Sequence, residues 1–225
     1  MPADPLVLAF DTAAAHCAAA LVQGASVRAR AAEPMARGQA ERLMPLLGEL
    51  LAGAGAGWGD VGLVAVGTGP GNFTGLRIGV AAARGLALGR GIPAIGVSLF
   101  ESLAHGHRGP ALVTLDDRRG GLFARMLRDG LPAGPAIETA AGRLAPDLGP
   151  LPAGTLCLGH AAPEVAAELG LRAGNDAALP DAVAIAQVAA LRHLRGEAPR
   201  PAPLYIRRAD AAPPGEAPAV ILDDA

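Results

Sequence analysis

The sequence contains no lysine, and all 19 basic residues of the 225-residue chain are arginine. Aromatic residues make up only 3% of the composition, and the formal net charge is −2. A protein that binds nucleic acid by itself usually carries a basic stripe with interleaved aromatic side chains. The composition therefore argues against a stand-alone nucleic-acid binder, and any RNA substrate would have to be held mainly by another chain.

Long apolar runs and cysteines are also scarce. Apolar residues reach 51%, but no uninterrupted apolar run approaches the ~20 residues that span a membrane. The first residues carry no basic group, so the sequence predicts no signal peptide, and a soluble, cytoplasmic protein. Cys17 and Cys157 stand in apolar, strand-like surroundings, which favours buried free thiols over a disulfide.

Two nucleotide-binding fingerprints are missing as well. A Gly-rich loop leads from Thr68 into a predicted helix and follows a predicted strand, Leu63–Val66, which is the order found in many phosphate-binding loops. A P-loop, however, requires Gly-Lys-Ser/Thr, and a Rossmann fingerprint requires a glycine where Thr74 stands. Pro70 also removes an N–H donor. We therefore interpret the loop as a tight structural turn, with Thr74 as the N-cap of the helix.

This same stretch, Gly69-Pro-Gly-Asn-Phe-Thr-Gly-Leu-Arg-Ile-Gly79, resembles the signature of the TsaB family, also called YeaZ. Two further elements resemble that family: Leu115-Asp-Asp-Arg-Arg119, with Asp117 in place of alanine, and Pro203-Leu-Tyr-Ile-Arg207, with isoleucine in place of leucine. The resemblance extends over the chain up to about Arg208. Members of the family serve in making the threonylcarbamoyl modification of tRNA adenosine, so the resemblance implies a role in that pathway.

The order of predicted elements favours a duplicated α/β fold. The strand Leu6–Phe10 runs into Asp11, a later strand from Ala111 runs into Asp116, and each is followed by a turn and a returning strand. Such a repeat is typical of the two-lobed actin-like ATPase fold (ASKHA, ribonuclease H-like), with a mixed sheet and helices on its faces in each lobe. We expect an N-terminal lobe (1–105), a C-terminal lobe (106–208) and a Pro/Ala-rich acidic tail (209–225).

In ATP-using proteins of that superfamily, the cleft between the lobes holds nucleotide and metal. Asp11 could contribute to such a site, or it could cap its own turn through side-chain hydrogen bonds. Asp116 begins the second turn, in which two arginines could pair with an anion or lie in solvent. In ATP-binding relatives, a Gly-Gly pair at the position of Gly159 makes room for adenine. This sequence has only one of the two glycines there. These three residues are the candidate cleft positions, and no cofactor is predicted for them.

The reactive groups of the catalytic relatives are missing from the sequence. Catalytic paralogues of the family carry a pair of metal-binding histidines on the helix that corresponds to Gln39–Gly53, and here Gln39 stands where a histidine is common. No serine stands in Gly-x-Ser-x-Gly, and no histidines pair as in a zinc site except His105 and His107 at a helix end. The resemblance therefore implies no catalytic residue and no metal. It implies a non-catalytic partner of a catalytic TsaD-like subunit and a small P-loop ATPase, TsaE, with tRNA contacted only through the complex.

Two predicted helices are candidates for docking that partner. Gln39–Gly53 carries a Leu-rich stripe, and the helix after the Gly-rich loop carries small residues at spacings of three and four. Since an exposed face of this kind is unfavourable in water, we expect it to bind the catalytic subunit, and to form a homodimer when the chain is alone. The predicted interface residues are Leu43, Leu47, Leu76, Gly79, Val80, Ala83 and Leu86.

An enzyme is the rival hypothesis. An ATPase or small-molecule kinase of the actin-like superfamily would use Asp11, Asp116 and Gly159 to line its cleft, and micromolar binding of Mg-ATP by the isolated chain would favour it. A metallopeptidase would need bound zinc and peptide turnover, and the residue inventory argues against both.

Overall fold

Two five-stranded mixed sheets form the framework of the protein. The structure, a computed structural model, describes residues 4–140, 142–177, 181–198 and 200–206. The predicted acidic tail, 209–225, and the last residue of the closing motif, Arg207, lie outside the described residues. In the described parts, no helix is both long enough and apolar enough to cross a bilayer.

The first sheet is built from the first hundred residues. Its strands are β1 (Leu6–Asp11), β2 (His16–Gln23), β3 (Ser26–Pro34), β4 (Val61–Gly67) and β5 (Ala94–Val97), arranged in space as β3-β2-β1-β4-β5. β1 pairs antiparallel with β2 and parallel with β4. Short turns join the antiparallel strands, whereas β4 and β5 are reached through helices, as parallel connections require.

Two helices cover one face of this sheet. They are α1 (Gln39–Gly53), at its predicted bounds, and α2 (Phe73–Arg90). Alternate residues of β1 and β2, including Leu8, Phe10 and Leu21, form a buried cluster with the leucines of α1. A single 3₁₀ turn (Trp58–Asp60) precedes β4, and α3 (Leu99–Leu103) follows β5. The predicted capping box of α3, in which Ser98 and Glu101 satisfy each other's backbone N–H, is confirmed.

The second sheet repeats the arrangement of the first. Its strands are β6 (Pro110–Asp116), β7 (Gly121–Arg128), β8 (Leu131–Ala140), β9 (Leu156–Gly159) and β10 (Arg172–Ala173), in the order β10-β9-β6-β7-β8. β6 pairs antiparallel with β7 and parallel with β9, just as β1 pairs with β2 and β4. The helices α4 (Leu144–Leu148) and α5 (Ala162–Leu169) pack beside it. The predicted two-lobed α/β architecture is thus confirmed.

The last helix, α6 (Ala182–Leu194), returns to the first sheet. Its buried residues join the cluster formed by Val7, Ala9 and Ala20, on the face opposite α1 and α2. The predicted second lobe, 106–208, includes α6, but α6 packs on the first sheet. The physical reason is that the apolar second face of the first sheet needs a cover, which its own hundred residues supply only in part through α3.

Both cysteines are free and buried, as expected. Burial raises the pKa of the Cys17 thiol to about 11, with a smaller contribution from the nearby Glu33 carboxylate, and burial raises the pKa of Cys157 to about 11. The two thiols are therefore protonated and shielded from reagents at neutral pH.

This burial predicts a pH dependence of stability. Because the folded pKa of each thiol is raised above 9.0, the unfolded chain loses its thiol protons first as the pH rises. The free energy of unfolding should therefore be unaffected by the thiols below pH 9 and fall between pH 9 and 11, by roughly 1 to 3 kcal/mol for each thiol. No lysine titrates in this window. Urea unfolding from pH 8 to 11 measures the slope, and an equal slope in the Cys17→Ala, Cys157→Ala double variant would contradict the prediction.

Candidate functional site

The Gly-rich motif begins α2 two residues earlier than the sequence indicates. Asn72 has an extended backbone conformation, and its side-chain oxygen accepts the N–H of Gly75 at 2.9 Å, so Asn72 is the N-cap. The prediction of Thr74 in this role is wrong. Both residues are good N-caps by type, and the position of the turn before the helix decides between them.

Three glycines of the motif allow α2 and the loop before it to pack closely against the turn that follows β1. A Cβ atom at Gly75 would lie 2.0 Å from the carbonyl oxygen of Thr12, and one at Gly71 would lie 2.5 Å from that of Ala13. At Gly79 it would lie 2.8 Å from Oγ1 of Thr12. Thr12 also donates its hydroxyl hydrogen to the carbonyl oxygen of Gly75 at 2.7 Å. The motif is therefore accounted for by backbone-to-backbone packing inside the chain, as the interpretation of a structural turn requires.

Asp11 lies under this contact and is fully buried. Its Oδ2 accepts the N–H groups of Ala13 and Ala14 at 3.2 and 3.4 Å, and lies 2.7 Å from Nε2 of His16. Its Oδ1 is buried, has no hydrogen-bond partner among the residues that the structure describes, and is close to Gly67, where a Cβ atom would lie 2.1 Å from it. The carboxylate thus caps its own turn.

The buried partner of Asp11, His16, is a residue that the sequence analysis missed. His16 is only 2% exposed, and it begins the strand that runs antiparallel to β1. The signal was present in the spacing, because a hairpin brings the end of one strand close to the start of the next. An acid that ends β1 and a histidine five positions later are therefore neighbours.

The second acidic turn also satisfies its own backbone. The exposed Asp116 accepts the N–H of Arg118 at 2.7 Å, and the buried Asp117 accepts that of Arg119 at 2.7 Å. Gly159 has φ 92°, and a Cβ atom there would lie 2.2 Å from a carbonyl oxygen of β6. The three candidate cleft positions therefore have local structural roles, and the described residues contain no group of three or more His, Cys, Asp or Glu that could hold a metal ion.

The predicted interface residues lie inside the chain's own core. Leu43, Leu47 and Ala83 are 0–1% exposed and belong to the cluster beneath α1 and α2. The residues buried within the described chain are Leu43, Leu47, Leu76, Gly79, Val80 and Ala83. Leu86 is half-buried against the same cluster. The physical reason for this burial is that the leucine stripe of α1 and the side of α2 that carries Leu76, Val80 and Ala83 face the sheet, which is the nearest apolar surface.

The opposite sides of α1 and α2 form an outward-facing surface, called here the outer face, made of Met44, Gly48, Ala81, Gly85 and Leu88. The Met44 side chain is 42% exposed and that of Leu88 is 86% exposed. A Cβ atom at Gly48 or Gly85 would meet no atom within 4 Å. A glycine inside a helix costs about 1 kcal/mol relative to alanine. In contrast to Gly75 and Gly79, these two glycines gain nothing from packing within the described chain.

The charges around the outer face are unevenly distributed. On α1, Arg42 binds Glu33 of β3 and Glu49 of its own helix, each at 2.6 Å, and it lowers the pKa of both carboxyls. The helix α2 contains arginine at positions 77, 84 and 90 and no acidic residue. The α2 side of the outer face is therefore electropositive, while Glu49 of α1 is already paired with Arg42.

The closing motif packs directly on the opening one. The N–H of Leu204 donates to the carbonyl oxygen of Thr68 at 2.7 Å, and Nε of Arg77 donates to the hydroxyl of Tyr205 at 3.2 Å. The Arg77 guanidinium also lies 3.8 Å from the ring centroid of Phe73. The chain thus leaves the described region beside the first turns of α2.

Sequence comparisons find that this chain is similar to proteins of tRNA modification. Residues 32–130 match the family model described as "TsaD: tRNA N6-adenosine threonylcarbamoyltransferase". The tRNA threonylcarbamoyladenosine biosynthesis protein TsaB of Escherichia coli K12 is 41% identical over 100 residues, which are 44% of this chain and 43% of that protein. The match thus spans less than half of that relative. An uncharacterized protein of Mycobacterium tuberculosis H37Rv is 36% identical over 213 residues, covering 92% of this chain and 94% of the relative.

Solved structures share the fold over most of the chain. YeaZ from Pseudomonas aeruginosa superposes with a TM-score of 0.71 at 28% identity, covering 89% of this chain and 99% of that one. Component A of (R)-2-hydroxyglutaryl-CoA dehydratase from Acidaminococcus fermentans superposes with a TM-score of 0.54 at 8% identity, which is a likeness of fold alone. The arrangement of two mixed sheets is therefore common to proteins of different sequence.

Proposed function

The chain belongs to the TsaB (YeaZ) family, and we propose that it is a non-catalytic subunit for threonylcarbamoylation of the adenosine next to the anticodon in tRNA. In this proposal it docks and stabilises a TsaD-like catalytic subunit in the cytoplasm, and a TsaE-like P-loop ATPase joins them. The tRNA is contacted only through the complex. When the chain is alone, the same docking surface joins two copies of it into a homodimer.

The observation that carries the proposal is the outer face of α1 and α2. Two glycines in the middle of adjacent helices, the half-buried Gly48 and the exposed Gly85, lower helix stability by about 1 kcal/mol each and have no partner within the described chain. Such residues allow another backbone to approach closely. Met44 and Leu88 add apolar side chains to the same surface. A partner that covers both helices could bury the ~1,200 Å² or more that specific complexes require.

The non-catalytic part of the proposal is supported by the turn after β1. Its carboxylate accepts hydrogen bonds from its own backbone and pairs with His16, and α2 packs over the turn. A nucleophile or base must reach its substrate, and Asp11 has no exposed surface. Calorimetry of the isolated chain with Mg-ATP tests the rival, since micromolar binding would favour an ATPase or kinase.

A bulky polar side chain on the outer face should weaken capture of the catalytic subunit. We expect Gly85→Gln to lower the affinity for a TsaD-like subunit at least tenfold, because it blocks close approach of a backbone while its Cβ meets nothing in the monomer. Biolayer interferometry measures the affinity, and circular dichroism checks the fold. Leu131→Gln is the matched control, since Leu131 is 51% exposed on the second sheet. Equal affinity of wild type, Gly85→Gln and Met44→Glu would reject this docking surface.

A further inference from the structure

The α2 side of the outer face has an uncovered apolar end. Leu88 is 86% exposed, the largest exposed fraction recorded for a large apolar side chain in the described residues. Gly85 and Gly89 beside it would accept a Cβ atom without meeting any atom within 4 Å. Arg84 lies one turn before Leu88 and donates to the carbonyl oxygen of Pro201, Arg90 ends the helix and donates to that of Gly59, and α2 has no acidic residue. A ligand that fits here needs apolar side chains next to carboxylates.

The sequence after the described region has this composition. Residues 220–222 are Val-Ile-Leu, and residues 223–224 are Asp-Asp. Beyond Arg208 the chain carries four acidic residues, at positions 210, 216, 223 and 224, and no basic residue. In this segment the apolar residues come before the acidic ones. Along α2 the exposed Leu88 comes before Arg90, so the two orders are complementary.

The starting point of this segment puts it within reach. Tyr205 is held against Arg77, which is eleven residues, or about 17 Å of helix, before Leu88. The 13 residues that separate Ile206 from Val220 can span up to about 45 Å when extended. Because the segment is attached to the same chain, its binding would be intramolecular, which makes even weak contacts effective.

We propose that residues 219–225 bind in cis to the exposed end of α2, with the apolar triad on Leu88 and the two aspartates beside Arg84 and Arg90. This contact covers part of the outer face, so the segment competes with the TsaD-like subunit or with a second copy of the chain. The competition rests on the proposed function. The cis contact itself does not.

A spin label tests the cis contact directly. Cys17 and Cys157 are buried, so a thiol-reactive nitroxide attaches selectively to Ala225→Cys in the full chain, which leaves both aspartates in place. The methyl resonances of Leu88 should broaden at least threefold more than those of Leu131 on the second sheet, and equally at 20 and 200 µM protein. Broadening that disappears on dilution would show a second copy as the occupant and overturn the cis contact. Equal broadening of Leu88 and Leu131, or none, would overturn it as well.

The regulatory consequence has its own measurement. Ending the chain after Pro218 should raise the affinity for the TsaD-like subunit five- to tenfold. Replacing Val220, Ile221 and Leu222 by serine in the full chain should give most of the same gain. Unchanged affinity in both variants overturns the competition. If neither the full chain nor the truncated chain binds the subunit, the proposed function fails, and the spin-label result still decides the cis contact.

Discussion

Replacing Gly75 by alanine is expected to destabilise the protein by about 3 kcal/mol. A Cβ atom at this position would lie 2.0 Å from the carbonyl oxygen of Thr12, and the obstacle is backbone that cannot rotate away. Overpacking of this kind usually costs about 1 to 3 kcal/mol, and here it would also disturb the hydrogen bond from Thr12 to the carbonyl of Gly75. Urea unfolding followed by circular dichroism measures the loss.

The matched control for this prediction lies on the same helix. Gly85→Ala introduces the same methyl group, but its Cβ meets nothing within 4 Å. Helix propensity should therefore raise the stability by up to about 1 kcal/mol. The two variants should differ in opposite directions from wild type. If the Gly75→Ala and Gly85→Ala variants are equally stable, close packing does not explain the glycines of the motif.

Removing Arg192 is the second substitution with a large expected effect. Its guanidinium pairs with the carboxylate of Glu101 and donates to the carbonyl oxygen of Gly96 at 2.7 Å. The two side chains are only 16% and 6% exposed. Arg192→Met should lower the free energy of unfolding by about 3 to 5 kcal/mol, because it leaves a buried carboxylate without its counter-ion. Since this contact joins α6 to α3 and β5, the loss would loosen the helix that closes the first sheet.

Two further variants separate the ion pair from simple loss of packing. Adding Glu101→Gln to Arg192→Met removes the uncompensated charge and should recover about half of the lost stability. Arg143→Met is the exposed control, since the Arg143 side chain is 70% exposed and lies 3.8 Å from Asp147, so its effect should stay below about 0.5 kcal/mol. A loss equal in both single variants would show that the Arg192 contact adds no special stability.

Local patterns were sufficient for most of the secondary structure. The bounds of α1 follow from its 3.6-residue periodicity, and the capping box of α3 follows from two residues at a fixed spacing. The repeated strand, acid, turn and strand predicted the duplicated architecture. These features are decided by neighbours in sequence, so they can be predicted without the fold. The exception is the cap of α2, where Asn72 and Thr74 are equally suitable in type.

Long-range contacts could not be predicted from these local sequence patterns. The pairing of Asp11 with His16, the return of α6 to the first sheet, and the contact of Tyr205 with Arg77 join residues that sequence periodicity does not relate. They depend on which face of each element remains uncovered once the others have packed. That information exists only in three dimensions.

The amino-acid pattern alone was enough to predict a resemblance to the TsaB family, the order of strands and helices, and the presence of a small-residue helix beside a Leu-rich one. Which side of these helices is exposed became known from the packed fold. Leu43 and Val80 face the sheet because burying them there removes apolar surface from water at once, while Gly85 and Leu88 face outward. Amphipathic spacing gives the angle between two sides of a helix, but the surroundings determine which side is buried.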